Sequence, residues 1–183
     1  MRLSLMLEKE IKTERLIIKI PEIDDRFELT QLINDKHVIK WLSDTPFPYT
    51  LTHAEEFIER SQEKVMKGET YNFMIFKEKK ILGGIGLTEF KKKSCELGYW
   101  LGKRYWGNGF ATEAVKSILD FGFGQLNLEE IYASYKIGNE GSKRVLMKCG
   151  FQFYREKKEF DSVLLEEDSL IEMIKKDESI KQT

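Results

Sequence analysis

Residues 104–114 read RYWGNGFATEA. An arginine precedes two glycines spaced two apart, and the letters after them turn helical. A helix N-terminus leaves backbone N–H groups without partners and carries partial positive charge. Gly107 and Gly109 have no side chain to hold a ligand off. A phosphate could therefore rest on the amides from Trp106 through Asn108 and Phe110 to Ala111, with the Arg104 guanidinium adding charge-assisted bonds. Two familiar phosphate loops fail on the letters. A dinucleotide fingerprint needs G-x-G-x-x-G/A, and this stretch ends on Thr112. A Walker loop needs Gly-Lys-Ser/Thr, and no lysine precedes Thr112. R-x-x-G-x-G remains, which on its own serves either a phosphate or a purely structural strand-to-helix turn.

The elements around this junction can be read from periodicity. Leu16, Ile18 and Ile20 alternate with their neighbours as in a strand, stopped by Pro21. Asp24 and Asp25 open a helical stretch, and Pro46 and Pro48 forbid a helix through the segment that follows. Thr52-His53-Ala54-Glu55 has the T-x-x-E form of a capping box, with Ala54, Phe57, Ile58, Ser61 and Val65 behind it at helical spacing up to Gly68. Tyr71–Phe76, Ile81–Glu89 and Ser94–Leu101 read as an antiparallel meander joined by Lys-rich hairpins. After the glycines, Ala111, Ala114, Val115, Ile118 and Leu119 share one helix face. Ile131–Tyr135 is a short strand, Asn139–Cys149 a short helix ended by Gly150, and Phe151–Glu156 and Ser169–Ile174 are closing strands. Strand, glycine loop, helix and strand form a crossover that needs parallel neighbours. The fold class is α/β (α+β), a mixed sheet with helices on both faces.

A length of 183 residues favours one domain over 1–183, with 1–10 and 175–183 as flexible ends. Lys plus Arg (30) balance Asp plus Glu (31), which excludes a bulk nucleic-acid binder. Cys95 and Cys149 stand in unrelated contexts, so no zinc site is expected and both read as free thiols. No leader or membrane span is recognisable, and a cytoplasmic protein is expected, monomer or homodimer.

The letters also carry a resemblance. R-x-x-G-x-G before a helix is similar to the acyl-CoA pyrophosphate loop of the GCN5-related N-acetyltransferase (GNAT) superfamily. TERLIIKI, KHVIKWLSDTPFPYT, THAEEFIE, ILGGIGL, ELGYWLGKRYWGNGFATEA and NEGSKRVLMKCGF follow in the order of its RimJ/RimL-type branch, over about residues 11–151. That branch includes acetyltransferases of ribosomal-protein N-termini. The resemblance implies a mostly antiparallel sheet of about seven strands, splayed between the fourth and fifth, at Ser94–Leu101 and Ile131–Tyr135. Acetyl-CoA is implied as cosubstrate, with no metal. Its pantetheine is expected along Tyr99, Trp100 and Leu101, and its pyrophosphate on the loop from Arg104 to Ala111.

Acetyl transfer to an amine needs a neutral nucleophile, so a carboxylate near the acceptor is useful. Glu96 is the candidate base: alternation puts it on the face of Gly98 and Trp100, and the matching position of the Rim-type pattern is acidic. Ser142 is the candidate proton donor to the departing thiolate, and Asn139 a pantetheine contact. The same pair also fits a plain N-cap with its N3 partner. Other GNAT branches place a tyrosine acid on this helix, where Leu146 stands here. Cys149 falls on the apolar helix face and reads as a core thiol, so direct transfer in a ternary complex is expected. Trp41, Phe47 and Tyr49 are candidate walls of the acceptor pocket; neither His37 nor His53 reads as catalytic. The expected acceptor is a protein or peptide α-amine. The alternatives are a small amine (polyamine, amino sugar, antibiotic) and a non-catalytic acyl-CoA sensor. REKKEFDSVLLEEDSLIEMI keeps Phe160-Asp161 but lacks the family's glycine turn, which leaves the last strand pairing open.

Overall fold

The computed structural model describes residues 10–161 and 165–179. In chain order these form β1 (Glu10–Lys12), β2 (Ile17–Lys19), α1 (Arg26–Ile33), α2 (Lys36–Ile39), α3 (Leu51–Lys67), β3 (Tyr71–Lys77), β4 (Lys80–Lys91) and β5 (Ser94–Leu101). Then follow α4 (Phe110–Asp120), β6 (Glu130–Lys136), α5 (Glu140–Lys148), β7 (Gln152–Asp161) and β8 (Glu166–Lys176). The eight strands make one sheet in the order β1-β2-β3-β4-β5-β6-β8-β7. Every neighbouring pair is antiparallel except β5 and β6, as the crossover through α4 requires.

The β5–β6 ladder pairs Ser94, Cys95 and Glu96 with Glu130, Ile131 and Tyr132. β5 continues to Leu101 beside β4, while β6 turns to pair with β8 through Lys136. The sheet therefore parts just past Glu96. This opening lies between the fifth and sixth of eight strands, not the fourth and fifth of about seven. The difference is β1, whose three residues pair with β2 at the outer edge and are too short to leave a period in the letters.

Two cores hold the sheet. On one face α4 buries Phe110, Ala114, Val115, Ile118 and Leu119 against strand residues such as Leu87, Leu97 and Ile131. On the other, Leu29, Ile33 and Ile58 of α1 and α3 pack on Met74, Phe76 and Ile81. Burial of such side chains contributes about 1.5–3 kcal/mol each. Alternation along β5 sends Tyr99 toward the first core and Trp100 toward the second.

Three expectations change. The capping box of α3 is Thr50 with His53, not Thr52 with Glu55: Thr50 Oγ1 accepts from the His53 amide, and His53 Nδ1 accepts from the Thr50 amide. A histidine replaces the usual acid, which hides the box from the T-x-x-E pattern. The closing strands are longer than their apolar letters suggested. β7 is a charged edge strand running to Asp161, and β8 reaches Lys176, inside the segment expected to be loose. Residues 1–9 and 180–183 of the expected flexible ends lie outside the described residues.

Candidate active site

The parted sheet opens onto a cleft of about 1370 Å³. At one end stands the glycine loop. Gly107 (φ +77°) and Gly109 (φ +79°) both occupy the left-handed region, where a Cβ is strained. Gly109 is the N-cap of α4, and no side chain caps that helix. The first-turn amides of Phe110, Ala111 and Thr112 are therefore left for an outside acceptor. A side chain at Gly107 would meet no protein atom within 4 Å, so the loop is open on that side.

The arginine attached to this loop is Arg15. Its Nη1 donates to the Asn108 carbonyl at 3.1 Å, and its guanidinium lies 4.7 Å over the Phe110 ring. Glu113 holds it in place. Burial disfavours the Glu113 charge, but the Thr13 hydroxyl, the Arg15 amide and the Arg15 guanidinium outweigh it and hold the carboxyl below its usual range. Arg104, singled out by the motif, instead pairs with Glu28 of α1 at 3.6 Å and stacks over Tyr105. The Asn108 carboxamide donates to the Tyr105 and Trp106 carbonyls and so shapes the loop itself.

Along β5, the residues past Glu96 have lost their β6 partner, so a strand edge faces the cleft. Trp106 reaches back to it, Nε1 donating to the Leu101 carbonyl at 2.7 Å. The Trp100 indole lies against Gly84, where a Cβ would come within 2.8 Å of its Nε1. An extended amide-bearing ligand fits such an edge, and a diphosphate fits the amide turn at its end. The residues present thus suit an acyl-CoA.

Across the opening, Asn139 caps α5, its Oδ1 accepting from the Ser142 amide at 3.1 Å. The cap arrangement and a ligand role coexist, since capping fixes the first turn where Ser142 lines the cleft. A contact the letters did not reveal joins them to β5: the Tyr99 hydroxyl lies 2.9 Å from Ser142 Oγ. Burial pushes the Tyr99 phenol well above its ordinary range, so it stays protonated. Leu146 is fully buried in the core. Cys149 is buried too, its thiol pushed up to about 11 by burial, which keeps it from acting as a thiolate nucleophile near neutral pH.

Glu96 occupies the last paired rung before the strands separate. It lies on the face of β5 opposite Tyr99, so the carboxylate and the Ser142 hydroxyl approach the cleft from opposite sides of the sheet. Burial raises its pKa, opposed by the Lys157 ammonium 3.7 Å away and by the Ser134 hydroxyl. Of the expected acceptor walls, Trp41 lines the cleft beside the Gly138 turn. Tyr49 also faces it but is fixed as core, its hydroxyl donating to the His53 carbonyl. Phe47 is half exposed and lies outside the cleft lining. The loop carrying these aromatics is tied to the last hairpin: the Asp44 amide donates to Asp161, which Lys136 approaches at 3.9 Å.

A sheet parted over a glycine-loop helix, with an acid and a hydroxyl lining the gap, is an arrangement suited to acyl transfer. Residues 15–152 match the Acetyltransferase (GNAT) domain, and the chain belongs to that family. Among its relatives is the uncharacterized N-acetyltransferase p20 of Bacillus licheniformis, 33% identical over 76% of this chain and 80% of that one. The ribosomal-protein-serine acetyltransferase of Escherichia coli K12 is 26% identical, over 61% of this chain and 65% of its own length. In fold alone, the chain is similar to Mycobacterium smegmatis RimJ, solved with a CoA disulfide. That match has a TM-score of 0.81 at 19% identity and covers 92% of this chain and 85% of that one.

Proposed function

We propose that this N-acetyltransferase moves the acetyl group of acetyl-CoA directly to the α-amine of a protein or peptide N-terminus. One observation carries the reading: Glu96 sits where β5 and β6 part, with the Tyr99–Ser142 pair on the opposite face of β5. Acetyl-CoA supplies, when bound, an acetyl group activated as a thioester. The amides of Phe110 and Ala111 and the loop held by Arg15 bind its diphosphate. The free edge of Tyr99–Leu101 and the Asn139 carboxamide align its amide arm. Glu96 takes the proton from the acceptor ammonium, leaving a lone pair to attack the acetyl carbon. As the C–S bond breaks, Ser142 Oγ–H, oriented by the Tyr99 phenol, gives its proton to the departing sulfur and regains one from the attacking nitrogen, which sheds its second proton as the amide forms.

The preference for an α-amine follows from proton affinity. An α-ammonium (pKa about 7.7–8.0) gives its proton to a carboxylate far more readily than a lysine ammonium (about 10.4). Burial raises Glu96 toward the α-amine and narrows that gap further. A relative named for ribosomal-protein serine acetylation supports the same acceptor class. The test is thiol release with peptides bearing a free α-amine, the same peptides Nα-blocked with an internal lysine, a polyamine, an amino sugar and an aminoglycoside. The free α-amine peptides should lead by kcat/KM. A small amine in front would overturn the acceptor class, and tight acetyl-CoA binding with no acceptor above background hydrolysis would make the protein a sensor.

A further inference from the structure

Lys157 stands on the edge strand β7, yet its side chain is only 17% exposed. Its ammonium lies 3.7 Å from Glu96, 3.6 Å from Glu159 and 3.5 Å from Glu172. A half-buried ammonium needs a partner, and Glu159 and Glu172, both in its own hairpin, would suffice. The third partner is different. Glu96 is on β5, with β6 and β8 lying between it and β7. At usual strand spacing that separation is about 14 Å, crossed by two long side chains leaning toward each other. The register makes the reach possible, because Ser134 pairs with Glu172, Glu172 with Arg155, and Lys136 and Lys157 with Leu170. By alternation, Ser134, Glu172 and Lys157 share the face to which Glu96 belongs.

The charges around Glu96 give this contact its meaning. Glu89 of β4 and Glu159 of β7 both oppose ionisation of Glu96, and its own burial opposes it more. Ser134 and Tyr132 of β6 face it as neutral hydroxyl groups, and the neighbouring Cys95 thiol is pushed up to about 12 by burial and stays neutral. Arg155 is committed to Glu172 at 2.6 Å. Among the described residues, Lys157 is the cation within ion-pair reach of the Glu96 carboxylate, while Lys136 of β6 is engaged with Asp168.

We infer that Lys157 is a positioning residue for acetyl transfer, its ammonium keeping Glu96 ionised and turned into the cleft between turnovers. The inference rests on Glu96 being the base of the proposed reaction. When Glu96 takes a proton, Lys157 keeps Glu159 and Glu172, so the buried ammonium is never left without a counter-charge. When Glu96 releases the proton, the cation is already in place.

The experiment is the pH profile of kcat/KM for one α-amine peptide at saturating acetyl-CoA, in wild type, Lys157→Met, Lys157→Gln, Lys157→Arg, Glu159→Gln and Glu96→Gln. With one acceptor throughout, any displacement of the acid limb belongs to the enzyme. Removing the cation raises the pKa of a carboxylate, so the limb in Lys157→Met should move to higher pH by about one unit. The variant should be about tenfold slower than wild type well down the acid limb and within about twofold on the alkaline plateau, with acetyl-CoA affinity unchanged. Lys157→Arg should restore the wild-type limb. Glu159→Gln removes an opposing carboxylate on an exposed side chain and should move the limb down; Lys157→Gln decides the matter if Lys157→Met does not fold. A folded Lys157→Met, or failing that a Lys157→Gln, with an unmoved limb overturns the inference. Glu96→Gln with wild-type turnover overturns the base itself, a result that stands apart from both.

Discussion

Arg15 and Glu113, 98 residues apart in the chain, meet through two contacts of 2.7 Å, from Nε and Nη2 of the arginine to one carboxylate oxygen. The Arg15 amide and the Thr13 hydroxyl donate to the other oxygen, at 2.9 and 2.6 Å. The turn before β2 is thereby locked to the first turn of α4, and the remaining arginine nitrogen holds the loop carbonyl of Asn108.

Arg15→Ala should weaken CoA binding about tenfold by titration calorimetry, with kcat for the bound donor within about threefold. Arg15→Lys should recover little, because an ammonium cannot bridge carboxylate and carbonyl as a guanidinium fork does. Because Glu113 sits below its usual range, the clamp contributes stability above about pH 4.3 that is lost as pH falls through the lower folded value. The wild-type minus Glu113→Gln difference in melting temperature should accordingly shrink in acid.

Gly109→Leu should abolish measurable CoA binding while the protein remains folded by circular dichroism. The substitution places a Cβ at φ +79° and fills the approach to the α4 amides. Unaltered affinity would remove the loop from the donor site.

Glu96→Gln should lower kcat by about 10²- to 10⁴-fold with CoA affinity unchanged. Its effect on stability has a definite sign. A carboxyl whose folded pKa is raised stabilises the fold at low pH and loses that contribution as pH rises through the folded value. Glu96→Gln should therefore melt above wild type at pH 8 and close to it at pH 4. A carboxylate buried for the proposed chemistry costs stability, and its neutral mimic recovers it.

Tyr99→Phe removes the hydroxyl contacts to the Ser142 carbonyl and Oγ and should lower kcat about tenfold, with the KM for acetyl-CoA unchanged. Ser142→Ala should cost more, and the double variant no more than Ser142→Ala alone, since Tyr99 acts through the serine. An additive double variant would separate the two residues.

Cys149→Ala should keep kcat within about twofold, and mass spectrometry of wild type with acetyl-CoA alone should find no acetylated cysteine. Cys149 lies against the core with its sulfur 3.7 Å from the Thr112 carbonyl, so the loss should instead appear as about 1 kcal/mol of stability.

How far the letters reached depended on sequence distance. The glycine loop, α4 and the crossover are local patterns, and each appeared where period and punctuation put it. Glu96 was placed on the correct face of β5 by alternation alone. Arg15 escaped because its tie to the loop runs through Glu113, 98 residues away, while the motif drew attention to the nearer Arg104. Tyr99 was read only for its backbone, since its hydroxyl contact to Ser142 spans 43 residues and depends on how α5 folds back over β5. Lys157 belongs to a run, REKKEF, that reads as solvated surface. Its burial follows from the β6-β8-β7 order, in which the last strand inserts between its predecessors.

The three-residue ladder between β5 and β6 bears on the lifetime of the protein as well as on its chemistry. Along Leu97–Leu101 the strand is paired with β4 on one side alone, so its backbone groups on the β6 side lack a ladder partner. A donor laid along that edge, as proposed, would stand in for a further strand. At a hundredfold excess over its dissociation constant it adds about 2.7 kcal/mol to folding. Donor supply would then bear on how much of the enzyme stays folded as well as on how fast it turns over.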